Sequence, residues 1–189
     1  MVTDPVPRRK DLRQVYQESD RLADLDLPPD GRLPEAARAI EQAMETGDIE
    51  AVRQACTEFL KRAARFYKVK APEIEVLEAR PLRVREGWAL ELFGDYHPET
   101  KRIRVWMRTA VRRRITSFGT FLSTLCHEFC HHLDFERYGF PESYHTRGFY
   151  ERAGALYHHA RATARKRLYW NRMPAGRWRI DWQKTRKGG

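Results

Sequence analysis

The stretch from Thr116 to Gly139 constrains the fold more than any other part of the chain. Its apolar residues recur at intervals of three and four, which predicts an amphipathic helix with one face in the core. These apolar residues are Phe118, Phe121, Leu122, Leu125, Phe129 and Leu133. Thr116 or Ser117 can cap the start of the helix, and Gly139 with Pro141 can end it. Any fold of this chain must therefore bury that face against other elements.

The opposite face of this helix carries ionisable side chains one turn apart. At 100° per residue, His131 lies about 40° from His127, and Asp134 lies about 20° to the other side. The sequence from His127 to His131 is HEFCH, the HExxH pattern of zinc-dependent hydrolases. Two imidazoles one turn apart can bind one Zn2+, and the neighbouring Glu128 can take a proton from a water molecule. The pattern predicts His127 and His131 as zinc ligands and Glu128 as the catalytic base.

A catalytic zinc site needs a third protein ligand. The candidates are Asp134, His145, Glu151 and the pair His158 and His159, of which the pair is expected at the surface. After His131 the helix rises about 12 Å, and the six loop residues that follow can extend about 20 Å. His145 can therefore return to the metal, at the start of a second helix expected over 146–168. Glu151 would lie about 240° further around that helix, so it should not share a metal with His145. Asp134 is better placed to orient a ligand imidazole, or it is simply a solvated carboxylate.

The stretch HEFCHHLDFERYGFPESYHTRGFYERAGALY resembles the SprT-like family of zinc metallopeptidases, which includes the Spartan proteases that degrade proteins cross-linked to DNA. In that family a third His follows the HExxH helix after a loop, and an aromatic residue follows that His by four positions, as His145 and Phe149 do here. The YgjP-like family has the same spacing. The resemblance implies that His127, His131 and His145 bind Zn2+ and that Glu128 is the catalytic acid/base.

Two features depart from the SprT-like pattern. Many members have Gly before the third His, where this chain has Tyr144. Many also carry a zinc ribbon of four cysteines, whereas this chain has only three cysteines in all. The resemblance therefore implies the peptidase core and no ribbon.

Two helical patterns precede the strand-forming region. Pro34 stands at a plausible first position of a helix over 35–46, which Gly47 can end. Asp48 can cap a second helix over 48–66, whose apolar residues also recur at three and four. These helices are expected to be scaffold.

Alternation of apolar and polar residues indicates strands between the helices. Residues 74–76 and 82–84 read as extended, and 88–93 and 103–107 read as strands. Turn residues over 94–99 predict a hairpin between the last two. The expected fold is α+β and zincin-like, with N-terminal helices, a small mixed or antiparallel sheet, the HExxH helix and a following helix that bears the third ligand.

Composition divides the chain into three regions. Residues 1–33, with Pro-rich flanks, are expected to be a loosely held arm. Residues 34–168 form the predicted zinc peptidase domain, and 169–189 form a basic aromatic tail. Cys126 precedes the HExxH motif and Cys130 lies within it, both at the border of the apolar face, so buried, inert thiols are expected there.

The net charge of +10 is concentrated in two segments. Residues 161–189 contain ten Lys and Arg against one acid, residues 101–114 contain seven against none, and the remainder is net acidic. Tyr and Trp interleave with the cations of the tail, a mixture that can neutralise phosphates and stack bases. DNA or another nucleic acid is thus a candidate partner through 101–114 and 161–187. The alternatives are that the tryptophans anchor the tail onto the core, and that 101–114 lines the cleft and selects acidic substrates.

These features lead to two functional hypotheses. The first is a zinc-dependent endopeptidase that acts on a protein or peptide substrate, with Tyr144, Tyr157 and Arg147 as candidates for stabilising the oxyanion or, alternatively, as packing and surface residues. The second is a nucleic-acid-binding protein with a structural or vestigial zinc site. With three cysteines, no secretory signal and no apolar run of membrane-spanning length, a cytoplasmic location is expected, with nucleoid association if DNA is bound.

Overall fold

The computed structural model describes residues 1–85 and 88–187, so the last two residues of the predicted tail lie outside the described part. The helices are α1 (Lys10–Arg21), α2 (Arg32–Thr46), α3 (Ile49–Tyr67), α4 (Phe118–Glu136), α5 (Arg147–Ala160) and α6 (Trp182–Lys187). The strands are β1 (Glu73–Ala79), β2 (Leu82–Arg85), β3 (Trp88–Glu91), β4 (Gly94–His97), β5 (Arg102–Arg108), β6 (Trp170–Arg172) and β7 (Trp178–Ile180). The fold is mixed α+β, and none of the helices in the described part combines the length and apolar character that a membrane crossing requires.

Helices α2 and α3 form where the sequence predicts them. α2 begins at Arg32, three residues earlier than expected, because Pro34 is tolerated within the first turn, where backbone N–H groups have no helical partner. Gly47 ends α2 in the left-handed conformation (φ 72°), and the Asp48 side chain caps α3 by accepting from Glu50 N at 2.8 Å. The predicted apolar face of α3 is buried in the core.

The main sheet has three strands in the order β1, β5, β4, with β1 parallel and β4 antiparallel to β5. The predicted hairpin over 94–99 is displaced, because 94–97 is itself the strand β4 and the turn occupies 98–101. β3 pairs with β2 in a separate two-stranded sheet. Tyr96 explains the displacement, since its ring packs against the core and its hydroxyl bonds to His132 Nδ1 at 3.0 Å.

Helix α4 runs through the centre of the molecule, against β4 and β5 on one side and α5 on another. Ser117 is its N-cap and accepts from Thr120 N. Its predicted apolar face is buried, with Phe121, Leu125 and Phe129 each at most 1% exposed. The helix ends at Glu136, three residues before Gly139, which takes the left-handed conformation in the following turn. The burial of this face fixes which side of α4 remains for the ionisable residues.

Helix α5 is shorter than the predicted 146–168. Thr146 caps its start by accepting from Phe149 N at 3.0 Å, but the helix stops at Ala160. Residues 161–167 are all exposed and include no large apolar side chain, so they offer no face to hold a further two turns against the core.

The expectation of a loosely held arm over 1–33 is wrong. It contains α1, which packs against α5 and buries Tyr16 and Ser19. The first residues pair with β7, since Thr3 N donates to Trp178 O at 2.8 Å and Ile180 N donates to Met1 O at 3.2 Å. Local sequence patterns missed this because the stabilising bonds join positions about 175 residues apart.

A buried ion pair joins three of the helices. Arg152 of α5 donates to Asp134 of α4 at 2.7 Å, and both side chains are at most 1% exposed. The same guanidinium donates to the backbone carbonyls of Ser19 and Leu22 at the end of α1. The pair fixes the position of α5 and α1 relative to the HExxH helix.

Candidate metal centre and its cleft

Three histidine side chains meet on the polar face of α4. His127 and His131 come from α4 itself, and His145 comes from the loop just before the N-cap of α5. Their Nε2 atoms lie 2.9 Å apart for His127 and His145, 3.2 Å for His127 and His131, and 3.2 Å for His131 and His145. Nitrogen donors of a tetrahedral ion bound at about 2.0–2.1 Å are about 3.3 Å apart. The three side chains are close enough to bind one metal ion.

The hydrogen bonds of two of these rings place lone pairs at the centre of the cluster. The Ser143 hydroxyl donates to Asp134 at 2.7 Å, so it accepts from His131 Nδ1–H, also at 2.7 Å. The Asp4 carboxylate can only accept, so the His145 Nδ1 that it contacts at 3.3 Å carries the proton. Nε2 of His131 and Nε2 of His145 therefore present lone pairs to each other, and two lone pairs cannot form a hydrogen bond. A cation bound between these two nitrogens would accept both lone pairs.

Asp134 orients a ligand ring through Ser143 and does not reach the cluster itself. Its two oxygens are occupied by Ser143 and Arg152. Burial raises the pKa of Asp134, and the Arg152 guanidinium opposes that shift. The side chain is fully buried, so the alternative of a solvated carboxylate is wrong. Glu151, the other candidate ligand, pairs with Arg165 at 3.1 Å and is not part of the cluster.

Asp4 holds the third histidine from the far end of the chain. Its carboxylate accepts from His145 N at 2.8 Å as well as from the ring, and its backbone N–H donates to His145 O at 3.0 Å. Burial acts to raise the pKa of Asp4, but the hydrogen bonds from His145 outweigh burial and leave the pKa below its usual value. Asp4 was not among the predicted site residues, and no local pattern in the sequence could have identified it.

Phe149 packs against all three imidazoles. Its ring centre lies 4.9 Å from that of His127, 4.4 Å from His131 and 5.3 Å from His145, and its side chain is fully buried. Burial, with His145 nearby, lowers the pKa of His127 to about 3, and burial likewise holds the pKa of His131 well below its usual value. These two rings are therefore kept neutral, which is the form that binds metal.

Glu128 lies beside the cluster with its carboxylate in a cleft. The residue is 5% exposed, and among the described residues its side chain forms no hydrogen bond. Burial, reinforced by the Asp95 carboxylate, raises the pKa of Glu128 to about 8. The β4 strand passes close by, since a Cβ on Gly94 would lie 2.5 Å from Thr124 Cγ2 and 3.1 Å from Glu128 Cγ. Only glycine allows this approach.

The cleft has a volume of about 760 Å3 and exposes both His127 and Glu128. Gly94 and Phe93 line one wall, and Tyr157, Arg161 and Trp182 line the other. Of the three oxyanion candidates, Tyr157 alone is among the residues that line this cleft.

The other two oxyanion candidates are engaged away from the cleft. Arg147 pairs with Asp20 and stacks on Trp178 with its guanidinium 4.7 Å from the ring centre. Tyr144 packs against Tyr16 at 5.7 Å between ring centres. For these two residues the structure agrees with the packing alternative.

The cysteines play no part in the cluster. Cys126 and Cys130 are buried with Cys56, and burial raises the pKa of each thiol, that of Cys130 to about 12. The expectation of buried thiols is confirmed.

Comparison of the chain with protein-family models, curated proteins and solved structures finds no match.

We expect His145→Ala to abolish metal binding and Glu151→Ala to leave it intact. His145 directs its Nε2 at the other two histidines, whereas the Glu151 carboxylate pairs with Arg165. Metal per chain, measured by mass spectrometry after loading with Zn2+ and desalting, should fall to background for His145→Ala. Wild-type metal content in His145→Ala, or its loss in Glu151→Ala, would contradict the ligand set.

We expect Asp4→Asn to weaken metal affinity about 10- to 100-fold, the usual effect of removing a carboxylate that orients a ligand histidine. The amide keeps an acceptor for His145 N but loses the negative charge beside the ring. Competition with a fluorescent chelator measures the affinity. Asp11→Asn, at an exposed aspartate of the same segment, is the control. A change smaller than about threefold in Asp4→Asn would contradict this role.

Proposed function

We propose that the protein is a zinc-dependent endopeptidase with a zincin-like fold of SprT-like type. The observation that carries the proposal is the position of Glu128, whose unpaired carboxylate shares the cleft with the histidine cluster. Three imidazoles with a position left open to a cleft are the donor set of catalytic zinc. The resemblance of residues 127–149 to the SprT-like and YgjP-like families supports the same conclusion. Three buried free thiols accord with a cytoplasmic enzyme.

The residues of the cleft suggest how a peptide is held. β4 lies at the edge of its sheet, and Gly94 lines the cleft beside Glu128. An extended peptide can add to such an edge through main-chain hydrogen bonds. A peptide held in this way would run past the histidine cluster, and Tyr157, which lines the same cleft and accepts from Arg161 at 2.5 Å, would be free to donate its hydroxyl to the oxyanion.

Glu128 then moves the proton. Zinc, when bound, supplies a Lewis acid that polarises the substrate carbonyl and makes water more acidic. The Glu128 carboxylate accepts a proton from the attacking water and returns it to the leaving amine nitrogen. A cation at the histidine cluster favours the ionised form of Glu128, against the burial that raises its pKa.

We expect Glu128→Gln to lower kcat/KM about 10²- to 10⁴-fold while zinc content is unchanged, because the amide cannot accept the proton. Hydrolysis of casein by the zinc-loaded full chain measures the activity. The conservative variant keeps the size of the side chain, so loss of activity with intact zinc separates chemistry from folding. Equal hydrolysis by wild type and Glu128→Gln would overturn the proposal.

Nucleic-acid binding through the tail is the second candidate, and the pattern of ion pairs favours it. In 101–114, four of the seven cations pair with acids, namely Lys101, Arg102, Arg104 and Arg108. In the described part of 161–187, Arg165 is the one cation that forms an ion pair. The tail thus presents free positive charge. Base stacking has less support, since Trp178 is covered by Arg147 and Trp170 packs against the core, which leaves Trp182 as the most exposed indole.

We expect the triple variant Arg172→Glu, Lys184→Glu, Lys187→Glu to weaken binding to a duplex DNA. The salt slope should fall by about 0.9 for each phosphate that the tail no longer neutralises. All three side chains are exposed and lie outside the residues that line the cleft. The comparison variant reverses Arg112, Arg113 and Arg114, which form no ion pair within the described part of the chain, and it should keep the wild-type affinity if the tail is the DNA-binding surface. Titration by fluorescence anisotropy at several salt concentrations measures both quantities. Unchanged affinity and slope in the tail variant would exclude the tail as a DNA-binding surface.

A further inference from the structure

A side pocket opens from the cleft beside His127. It has a volume of about 140 Å3 and shares five residues with the cleft, namely Met1, Ser123, His127, Tyr157 and Trp182. We call this space the side pocket. Because His127 lines both spaces, a group bound in the side pocket lies next to the histidine cluster.

The walls of the side pocket are mainly apolar. Helix α5 contributes Tyr150, Ala153 and Gly154, and the segment after it contributes Leu168 and Ile180. Tyr150, Ala153 and Ile180 are each less than 10% exposed, so these walls are backed by the core. The polar residues include Lys166, which is exposed and therefore lies at the rim.

Gly154 leaves open space on one wall of the side pocket. It lies within helix α5 and not among the residues of positive φ, so its backbone does not require glycine. A Cβ placed there would meet no atom within 4 Å, so close packing does not require glycine either. Glycine within a helix costs about 0.5–1 kcal/mol relative to alanine. The absence of a side chain at Gly154 instead leaves open space in the side pocket, which His127 also lines.

The volume and lining of the side pocket match one large apolar side chain. An apolar cavity of about 150 Å3 is large enough for benzene. A leucine, methionine or phenylalanine side chain therefore fits, whereas an aspartate would lose solvation against apolar walls and a lysine would also meet Lys166.

We propose that the side pocket binds a large apolar side chain of the substrate, at a residue adjacent to the bond that is cleaved. This specificity rests on the proposed peptidase function. It identifies the substrates as polypeptide segments with leucine, methionine or phenylalanine at that position.

Cleavage of a diverse peptide mixture by the zinc-loaded full chain, with the products identified by mass spectrometry, tests the proposal. We expect large apolar residues to be favoured over glycine, aspartate and lysine by about 10-fold or more at one position beside the cleaved bond, the usual range for a hydrophobic pocket. Gly154→Leu, which fills the side pocket, should lower kcat/KM about 10- to 100-fold for a peptide with phenylalanine at that position. A matched peptide with glycine there should change less than about threefold, and Gly154→Ala should be intermediate.

Gly31→Leu is the matched control, because Gly31 also has open space around it and does not line the cleft or the side pocket. It should keep the wild-type preference. No apolar preference in the wild type, or the same preference in Gly154→Leu, would overturn the side pocket as a specificity site while leaving the peptidase function standing.

Binding separates this proposal from the failure of the proposed function. If neither wild type nor Glu128→Gln cleaves any peptide, the peptidase function fails. Fluorescence anisotropy with Glu128→Gln and two labelled peptides, differing only in phenylalanine or glycine, then still reports on the side pocket. Tighter binding of the phenylalanine peptide that disappears on adding Gly154→Leu supports the pocket, and equal binding of the two peptides overturns it.

Discussion

The geometry of the candidate site depends on the buried ion pair between Asp134 and Arg152. Arg152 anchors α5 and the end of α1, while the second oxygen of Asp134 fixes Ser143 and, through it, His131. Removing one partner of such a pair leaves an uncompensated buried charge and typically costs about 3–5 kcal/mol. One interaction thus couples the packing of three helices to the orientation of a metal-binding ring, so the site cannot be loosened without loosening the core.

The two ends of the described chain complete the site from outside this core. Residues 1–3 pair with β7, and Asp4 holds His145. The segment after α5 closes the cleft with Trp182 and walls the side pocket with Ile180. α4 supplies two of the clustered histidines and Glu128, and the terminal segments position the third histidine and line the cleft beside it.

The sequence predicted the parts of this arrangement that depend on local periodicity. The buried and polar faces of α4, the N-cap of α3 and the return of His145 toward His127 all follow from spacing along the chain. The roles of Asp4 and Ser143 do not follow from spacing. Asp4 acts on His145, 141 positions away, and Ser143 acts on His131, 12 positions away, and neither residue belongs to a sequence motif. The length of α5 and the position of β4 also depend on tertiary contacts. α5 stops at Ala160 because residues 161–167, which follow it, are all exposed, and β4 begins at Gly94 because Tyr96 packs against the core.

The pairing of residues 1–3 with 178–180 also affects the order in which the site forms as the chain folds. The bonds from Asp4 to His145 close a loop of most of the chain, and such contacts form late because their entropy must be overcome before they stabilise anything. A chain in which β7 has not yet paired with residues 1–3 has α4 and its two clustered histidines but lacks the contacts that place Asp4 beside His145. The third histidine of the cluster is therefore the last to be held in position.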